Sequence, residues 1–463
     1  MKRFKLVSLF SGTGGLDLGF SQSGYFDIIF ANDILPPAMK TYSKNFGLKF
    51  LSCENNGVEA HVGMALACDI ERVDLSPLKD VNIDVIMGGP PCQDFSIMRG
   101  SKRRGIEVKR GRLYSYFVKS LALLQPKVFL FENVPGLITS NNGLAYKYIL
   151  EDFSNLNLRW GDVRKIIGNG DGIKHIESYH IIHSRVLDLS YFGVPQRRQR
   201  LIIVGIRKDL VKNPEEIKST FSKALRESMG LFPKYPLTPI EAFEGKRLDE
   251  LSTVYKDIMR KWEGVWLEVG TEKAWKWKTE VWDKLTFDVV KDYLIANEVK
   301  SPGKEEIEEA LQQHEETLRE LGYYGAPVRT LKLSDGTNDL LDNDLTVVER
   351  MKRIPFGENY EFLSGTEWEI NWGRFSHTYR RLHPLKPSPT VLAYGGGGTY
   401  GYHYERDRIT LTLRERARLQ TFPDTFLFSG TKTQIRAEIG EAVPPLASKR
   451  LAQALVKVLL ELT

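Results

Sequence analysis

Five continuous apolar runs punctuate the first 206 residues, at 5–10, 28–33, 84–90, 127–134 and 200–206, with helix-length segments between them. A strand with one wet face alternates apolar and polar residues. These runs are instead rich in β-branched and aromatic residues throughout and end in polar or turn residues. That pattern predicts a parallel sheet covered by helices on both faces. Such sheets bind ligands in the crevice outside the carboxyl ends of their strands. Residues 11–15, Asp33, 90–92 and 132–134 fall at those ends.

After about residue 207 the rhythm is lost. Residues 213–375 carry Trp262, Trp266, Trp275, Trp277, Trp282, Trp368 and Trp372 and a polar helical stretch at 303–321, which predicts a separate domain of mixed structure. From Phe375 motifs return, and Leu446, Leu451, Leu455, Val458 and Leu459 space one apolar face of a closing helix. With 42% hydrophobic and 27% charged residues the composition is that of an ordinary globular protein. No apolar run is long enough for a membrane span, and the first residues turn polar too soon for a signal peptide. The cysteines, Cys53, Cys68 and Cys92, are odd in number and lack Cys-x-x-Cys spacing, so no disulfide framework is expected and a reducing cytoplasm is the default setting. A net charge of +6 suits a polyanionic partner without requiring one.

Four places carry chemistry. The first is Phe10-Ser-Gly-Thr-Gly-Gly-Leu-Asp-Leu-Gly-Phe20, directly after a strand. Its glycines allow a tight turn and bring backbone N–H groups close to a ligand; alone, such a loop is as often a plain strand-to-helix turn. Asp33 lies 19 residues beyond Gly14, near the spacing at which a carboxylate meets ribose hydroxyls, and the two together point to an adenosine-containing cofactor. The second is Gly88-Gly-Pro-Pro-Cys-Gln-Asp-Phe-Ser96. Most free cysteines are buried and inert, but prolines on one side and Gln93 and Asp94 on the other describe a loop. A nucleophilic thiol needs electropositive help, and Arg99, Lys102, Arg103, Arg104, Lys109, Arg110 and Arg112 follow it. A basic run is usually a solvated face; the glycines at 100, 105 and 111 make this one suited to reaching phosphate. The third is Phe131-Glu-Asn-Val-Pro135, where Glu132 is either a helix-capping carboxylate or a group that meets a ring nitrogen. The fourth is Gly193-Val-Pro-Gln-Arg-Arg-Gln-Arg-Leu201, whose Arg198 and Arg200 are expected on the same side of a strand. His175, His180 and His183 show no metal-ligand spacing, and no metal is expected.

The set resembles the C5-cytosine-specific DNA methyltransferases. Six motifs come in that family's order: Phe-Ser-Gly-x-Gly-Gly, Pro-Pro-Cys-Gln, Glu-Asn-Val, Gln-Arg-Arg-x-Arg, then Leu413-Arg-Glu-Arg-Ala-Arg-Leu-Gln-Thr-Phe-Pro423 and Gly440-Glu-Ala-Val-Pro444. The match covers about residues 1–206 and 376–463. It implies an α/β S-adenosylmethionine-dependent methyltransferase fold, a mostly parallel doubly wound sheet, with a second, smaller DNA target-recognition domain. The corresponding division is a catalytic and cofactor-binding part at 1–212, target recognition at 213–385, and a return to the catalytic domain at 386–463.

By the same resemblance Cys92 is the nucleophile that adds to carbon 6 of cytosine, Glu132 holds the ring N3 and exocyclic amine, and Arg200, supported by Arg198, binds the carbonyl at position 2. Phe10, Thr13, Gly14 and Gly15 surround S-adenosylmethionine, Asp33 meets its ribose, Asp69 and Ile70 its adenine, and Pro91, Leu113, Ala442 and Val443 complete the site. The family usually has asparagine where this chain has Glu441, which leaves only backbone contacts to carry over there. The partner implied is double-stranded DNA, its cytosine flipped out of the stack, with Arg99, Lys102, Arg103 and Arg104 on phosphates. A cognate restriction endonuclease, a cytoplasmic setting and no membrane complete the expectation. The rivals are an RNA cytosine methyltransferase of the same fold and a silent DNA-binding scaffold.

Overall fold

The computed structural model describes residues 3–53, 57–91, 112–168, 173, 176–340, 344–370, 378–394, 401–408 and 410–462. They form two units. The first comprises Met1–Asp188, Gln199–Ser228 and Ala447–Thr463; the second comprises Leu189–Arg198 and Met229–Leu446.

The first unit is built on ten strands: β1 Phe4–Leu9, β2 Phe26–Asp33, β3 Lys49–Ser52, β4 Val58–Glu59, β5 Met64–Ala67, β6 Val73–Asp74, β7 Val85–Gly88, β8 Val128–Asn133, β9 Tyr179–Asp188 and β10 Gln199–Arg207. Strands β4 and β6 pair apart; the others make one sheet in the order β3-β5-β2-β1-β7-β8-β10-β9. Pairs from β3 to β8 are parallel, while β10 runs antiparallel to both β8 and β9. The five apolar runs expected to be strands are β1, β2, β7, β8 and β10, the middle of the sheet, where both faces are covered. Strands β3 and β9 lie at its edges and half-expose their side chains, so they lack that signal; β5 is four residues, two of them alanine.

The core on one face is aromatic. Phe117, from the helix Arg112–Leu124, meets Phe131 edge-on with ring centroids 5.5 Å apart, and Phe129 packs on Phe153 at 4.4 Å. Offset and edge-on rings of this kind add to the gain from burial alone. The closing helix Pro445–Glu461 buries the expected Leu446, Leu451, Leu455, Val458 and Leu459. From Ala447 onward it belongs to this first unit, where the Ser448 hydroxyl donates to the Leu16 carbonyl and Lys457 pairs with Glu227 at 3.1 Å.

One expectation is corrected. Cys53 and Cys68 form a disulfide, with Cα atoms 5.3 Å apart. The reason is register: β3 and β5 pair in parallel from Lys49↔Met64 to Ser52↔Ala67, which sets the next residues of the two strands side by side. An odd cysteine count conceals such a neighbour pair. Reduction, or Cys53→Ser, should lower the stability of the first unit by roughly 3 kcal/mol, the loop entropy of a closure of this length. Urea unfolding with and without dithiothreitol checks it; coincident curves would refute it.

The second unit is largely helical. Helices Ser252–Lys261, Val265–Val269, Glu272–Glu280, Val289–Ala296 and Lys304–Glu320 run through its first half, the last close to the stretch expected from sequence. Trp266 and Trp277, both buried, and half-buried Trp282 gather with ring centroids 5.3 to 6.4 Å apart, while Trp275 is exposed. Its second half has little regular structure and many buried carbonyls. Arg381, Arg414, Arg416 and Arg418, all buried, supply donors to them. Among the described residues of the chain no helix is long and apolar enough to cross a membrane.

Candidate active site

The chain order of the strands reverses at β1, whose neighbours are β2 and β7. This is the switch point at which doubly wound sheets open a crevice. Chemistry-bearing residues line the same edge on both sides of it.

On one side of the switch point, β1 runs into the glycine loop. Phe10, Gly12 and Gly14 have φ of 54°, 54° and 89°, and the helix Gly15–Gln22 starts immediately after. At Gly14 a Cβ would stand 2.5 Å from the Phe46 ring, so the left-handed turn and the packing both require glycine. Thr13 is buried behind the loop. At the end of β2, Asp33 accepts the Gly12 N–H and the Leu35 N–H, each at 2.9 Å, tying the carboxylate to the loop. Burial holds its carboxyl above the ordinary carboxylate range despite those bonds. Two residues beyond β5, Asp69 caps a short turn by accepting the Glu71 N–H at 3.1 Å, and Ile70 is buried beside it. Strands β5, β2 and β1 are neighbours, so Asp69, Asp33 and the loop share one end of the sheet.

Behind the loop, Asp17 is fully buried and accepts the Tyr42 hydroxyl at 2.7 Å. Burial outweighs that bond and lifts its pKa to about 6. Folding therefore takes up a proton between about pH 4, where an unfolded aspartate titrates, and about pH 6. Stability is greatest below the lower value, falls as pH rises through this window and is flat above it. Asp17→Asn should remove the slope, which amounts to about 3 kcal/mol for about two pH units. Melting curves across that range test it, and an unchanged slope in the variant would count against it.

On the other side, β7 ends at Gly88 and leads into buried Pro90 and exposed Pro91. Cys92 lies outside the described residues, as do Arg99, Lys102, Arg103 and Arg104. Leu113, at the start of the next helix, packs against the core. Glu132 is in β8, and Arg200 stands opposite in β10, where the antiparallel pairing sets Leu201 against Asn133 and Ile202 against Glu132. The Arg200 Nε donates to Glu132 Oε1 at 2.8 Å, with both side chains largely buried. Gly89 passes so close that a Cβ there would lie 2.6 Å from Glu132 Oε2.

Arg198 precedes β10 rather than alternating with Arg200 inside it. In the second unit its guanidinium donates to the carbonyls of Gly440 at 2.7 Å and of Val391 and Glu441, both at 3.3 Å. Gln196 accepts the Val391 N–H at 2.7 Å and donates to the Gln420 Oε1 at 2.9 Å; Gln420 in turn donates to the carbonyls of Ile439 and Ala442. Three motifs distant in sequence are thus joined, and the carbonyls of 439–442 are held by side chains other than that of residue 441. Val443 is buried beside them. A Cβ at Gly440 would meet the Ala393 backbone at 2.2 Å, so glycine is required there. Gln196, Gln420, Gly89 and Asn133 went unassigned from sequence, although each sits inside a quoted motif. Among the described residues no group of three His, Cys, Asp or Glu side chains is placed to hold a metal.

The C-5 cytosine-specific DNA methylase family model matches residues 4–457. The chain is 58% identical over 467 residues to the DNA (cytosine-5-)-methyltransferase M.ApeKI of Aeropyrum pernix, covering 99% of each. It is 30% identical to the type II methyltransferase M.NgoFVII of Neisseria gonorrhoeae, across 98% of this chain and 87% of that one. A solved structure described as a prophage-encoded DNA modification methyltransferase of E. coli superposes with a TM-score of 0.54 at 21% identity, covering 98% and 99% of the two chains, and supports the fold. The chain belongs to the C-5 cytosine-specific DNA methylase family.

Proposed function

We propose that this DNA (cytosine-5-)-methyltransferase methylates a cytosine flipped out of a specific double-stranded DNA sequence, using S-adenosylmethionine and a transient Cys92 adduct. The observation that carries the proposal is the sheet edge itself. The glycine loop, Asp33 and Asp69 lie at the ends of β1, β2 and β5; the strand end before Cys92, Glu132 and Arg200 lie on β7, β8 and β10.

Carbon 5 of cytosine is a poor nucleophile and needs prior activation. The Cys92 thiolate forms a bond to carbon 6 while Glu132 holds N3 and the exocyclic amine, and Arg200 binds the carbonyl at position 2. Carbon 5 would then take the methyl group as its bond to the sulfonium sulfur breaks. A base takes up the carbon 5 proton, and breakage of the sulfur–carbon 6 bond returns the thiolate and releases the product. Sulfur suits both halves, as a strong nucleophile and a good leaving group. The loop N–H groups and the two aspartates fit an adenosine moiety, which S-adenosylmethionine would bring together with its electrophilic methyl group. The roles of Phe10, Thr13, Gly15, Ile70, Pro91, Leu113, Ala442 and Val443 toward that cofactor rest on motif order. Arg198 is a positioning residue in this scheme, since its donors meet backbone carbonyls.

Residues 213–385, the stretch between the motifs that supplies most helices of the second unit, are assigned to target recognition, and Arg99, Lys102, Arg103 and Arg104 to DNA phosphates. A DNA substrate, rather than the cysteines, places the enzyme in the cytoplasm, as the modification half of a restriction–modification pair; the Cys53–Cys68 disulfide is uncommon in such a setting. Transfer of labelled methyl groups to DNA but not to transfer RNA is the expected result, and the reverse would overturn the proposal. Bisulfite sequencing of DNA from cells expressing the protein would then read the recognised sequence.

A further inference from the structure

We infer that Asn133 is a positioning residue of the reaction, fixing the strand end that carries the nucleophile against the carboxylate that meets the base. The inference rests on the assignment of Cys92 as nucleophile and Glu132 as base contact. The ladder between β7 and β8 runs from Val85↔Val128 to Gly88↔Phe131 and stops there. Beyond it the chain needs another anchor, and Pro90 and Pro91 have no N–H to offer. What Pro90 offers is a carbonyl. The buried Asn133 takes it, donating from Nδ2 at 3.0 Å, while its Oδ1 accepts the Val134 N–H at 2.8 Å. One residue earlier on the same strand stands Glu132, and Gly89 clears its carboxylate only for want of a Cβ.

A single dipeptide thus has two duties. Glu132 faces the base, and Asn133 sets how near the following strand end may come to that carboxylate. Cys92 is two residues past the anchored carbonyl, so a shift at Pro90 is passed along a very short tether to the sulfur. Reacting groups misplaced by about 1 Å lose on the order of a hundredfold in rate. A side chain that served only to stabilise the fold would affect cofactor binding and melting along with chemistry; a positioning residue affects the bond-forming step alone.

Asn133→Asp separates the two. It keeps the size and the acceptor for Val134 but sets a carboxylate oxygen against the Pro90 carbonyl. With a mixture of genomic PCR products made with 5-fluoro-dCTP as substrate, the covalent protein–DNA adduct should form roughly ten- to a hundredfold more slowly than with wild type. Cofactor affinity by titration and melting temperature should hold. Should Asn133→Asp fail to fold, Asn133→Ser, uncharged and too short to span to Pro90, takes the same assay with the same expectation. A folded variant that forms adduct at the wild-type rate overturns the inference, as does one whose cofactor affinity falls in step with its adduct rate. Wild-type protein that forms no adduct removes the Cys92 assignment itself, and the inference with it.

Discussion

Cys92→Ser protein should lose methyl transfer by roughly a thousandfold or more while still binding S-adenosylmethionine, as expected when a covalent nucleophile is removed from an intact site. Serine is nearly the same size but ionises far less readily than a thiol, so it is a poor nucleophile without a strong base beside it. Nothing on the cofactor side of the crevice changes: Asp33 still accepts from Gly12, and the loop still turns at Gly14. The variant therefore separates the two halves of the sheet edge. Steady-state transfer and equilibrium cofactor titration give the answer together. Full turnover in Cys92→Ser would remove the assigned nucleophile; loss of cofactor binding would mean that the two halves are not independent.

The second large effect is structural. Arg381→Met should destabilise the second unit by roughly 4 kcal/mol or more, since each buried acceptor left without a donor costs about 1–3 kcal/mol. Arg381 is fully buried and donates to the carbonyls of Met351, Ile354, His403 and Arg406 and to Asp407. Burial lowers its pKa only to about 10, so it stays cationic at neutral pH. Asp407 retains a second partner in Lys261 at 2.7 Å, so the main loss is in the carbonyls. Lysine has too few donors, in the wrong geometry, to replace the guanidinium, and Arg381→Lys should recover little. The guanidinium stacks 4.5 Å above the Trp262 ring, and seven of the eight tryptophans lie in the second unit, which makes tryptophan fluorescence a probe of that unit's urea unfolding. A midpoint equal to that of wild type would refute the role given to Arg381.

How much of this was legible beforehand follows from where free energy is concentrated. Strands buried on both faces announce themselves, which is why β1, β2, β7, β8 and β10 could be located and the chemistry placed at their ends. An edge strand such as β9, with His180, Arg185 and Ser184 among its residues, has no such signature. Glu132 and Arg200 were legible as motif members, but their direct pairing depends on β10 running backwards beside β8, which a list of apolar runs does not reveal. Arg198 was read by alternation with Arg200, whereas the strand begins only at Gln199. The Cys53–Cys68 bond follows from strand register, a long-range property that no local spacing contains. The buried arginines of the second unit carry no sign of burial in the sequence, because most of their acceptors are backbone carbonyls, which leave no trace there.

The position of the closing helix has a consequence for how the enzyme comes into being. The first unit is made of segments at Met1–Asp188 and Gln199–Ser228 and of a third from Ala447 onward, with most of the second unit synthesised between them. Only the segment from Ala447 onward brings Ser448 to the Leu16 carbonyl, directly behind the glycine loop. A nascent or prematurely terminated chain lacking residues from Ala447 onward has its sheet and its helical unit but an unfinished support for that loop. Methylating capacity is thus expected only after the second unit has been made and the segment from Ala447 has joined the sheet.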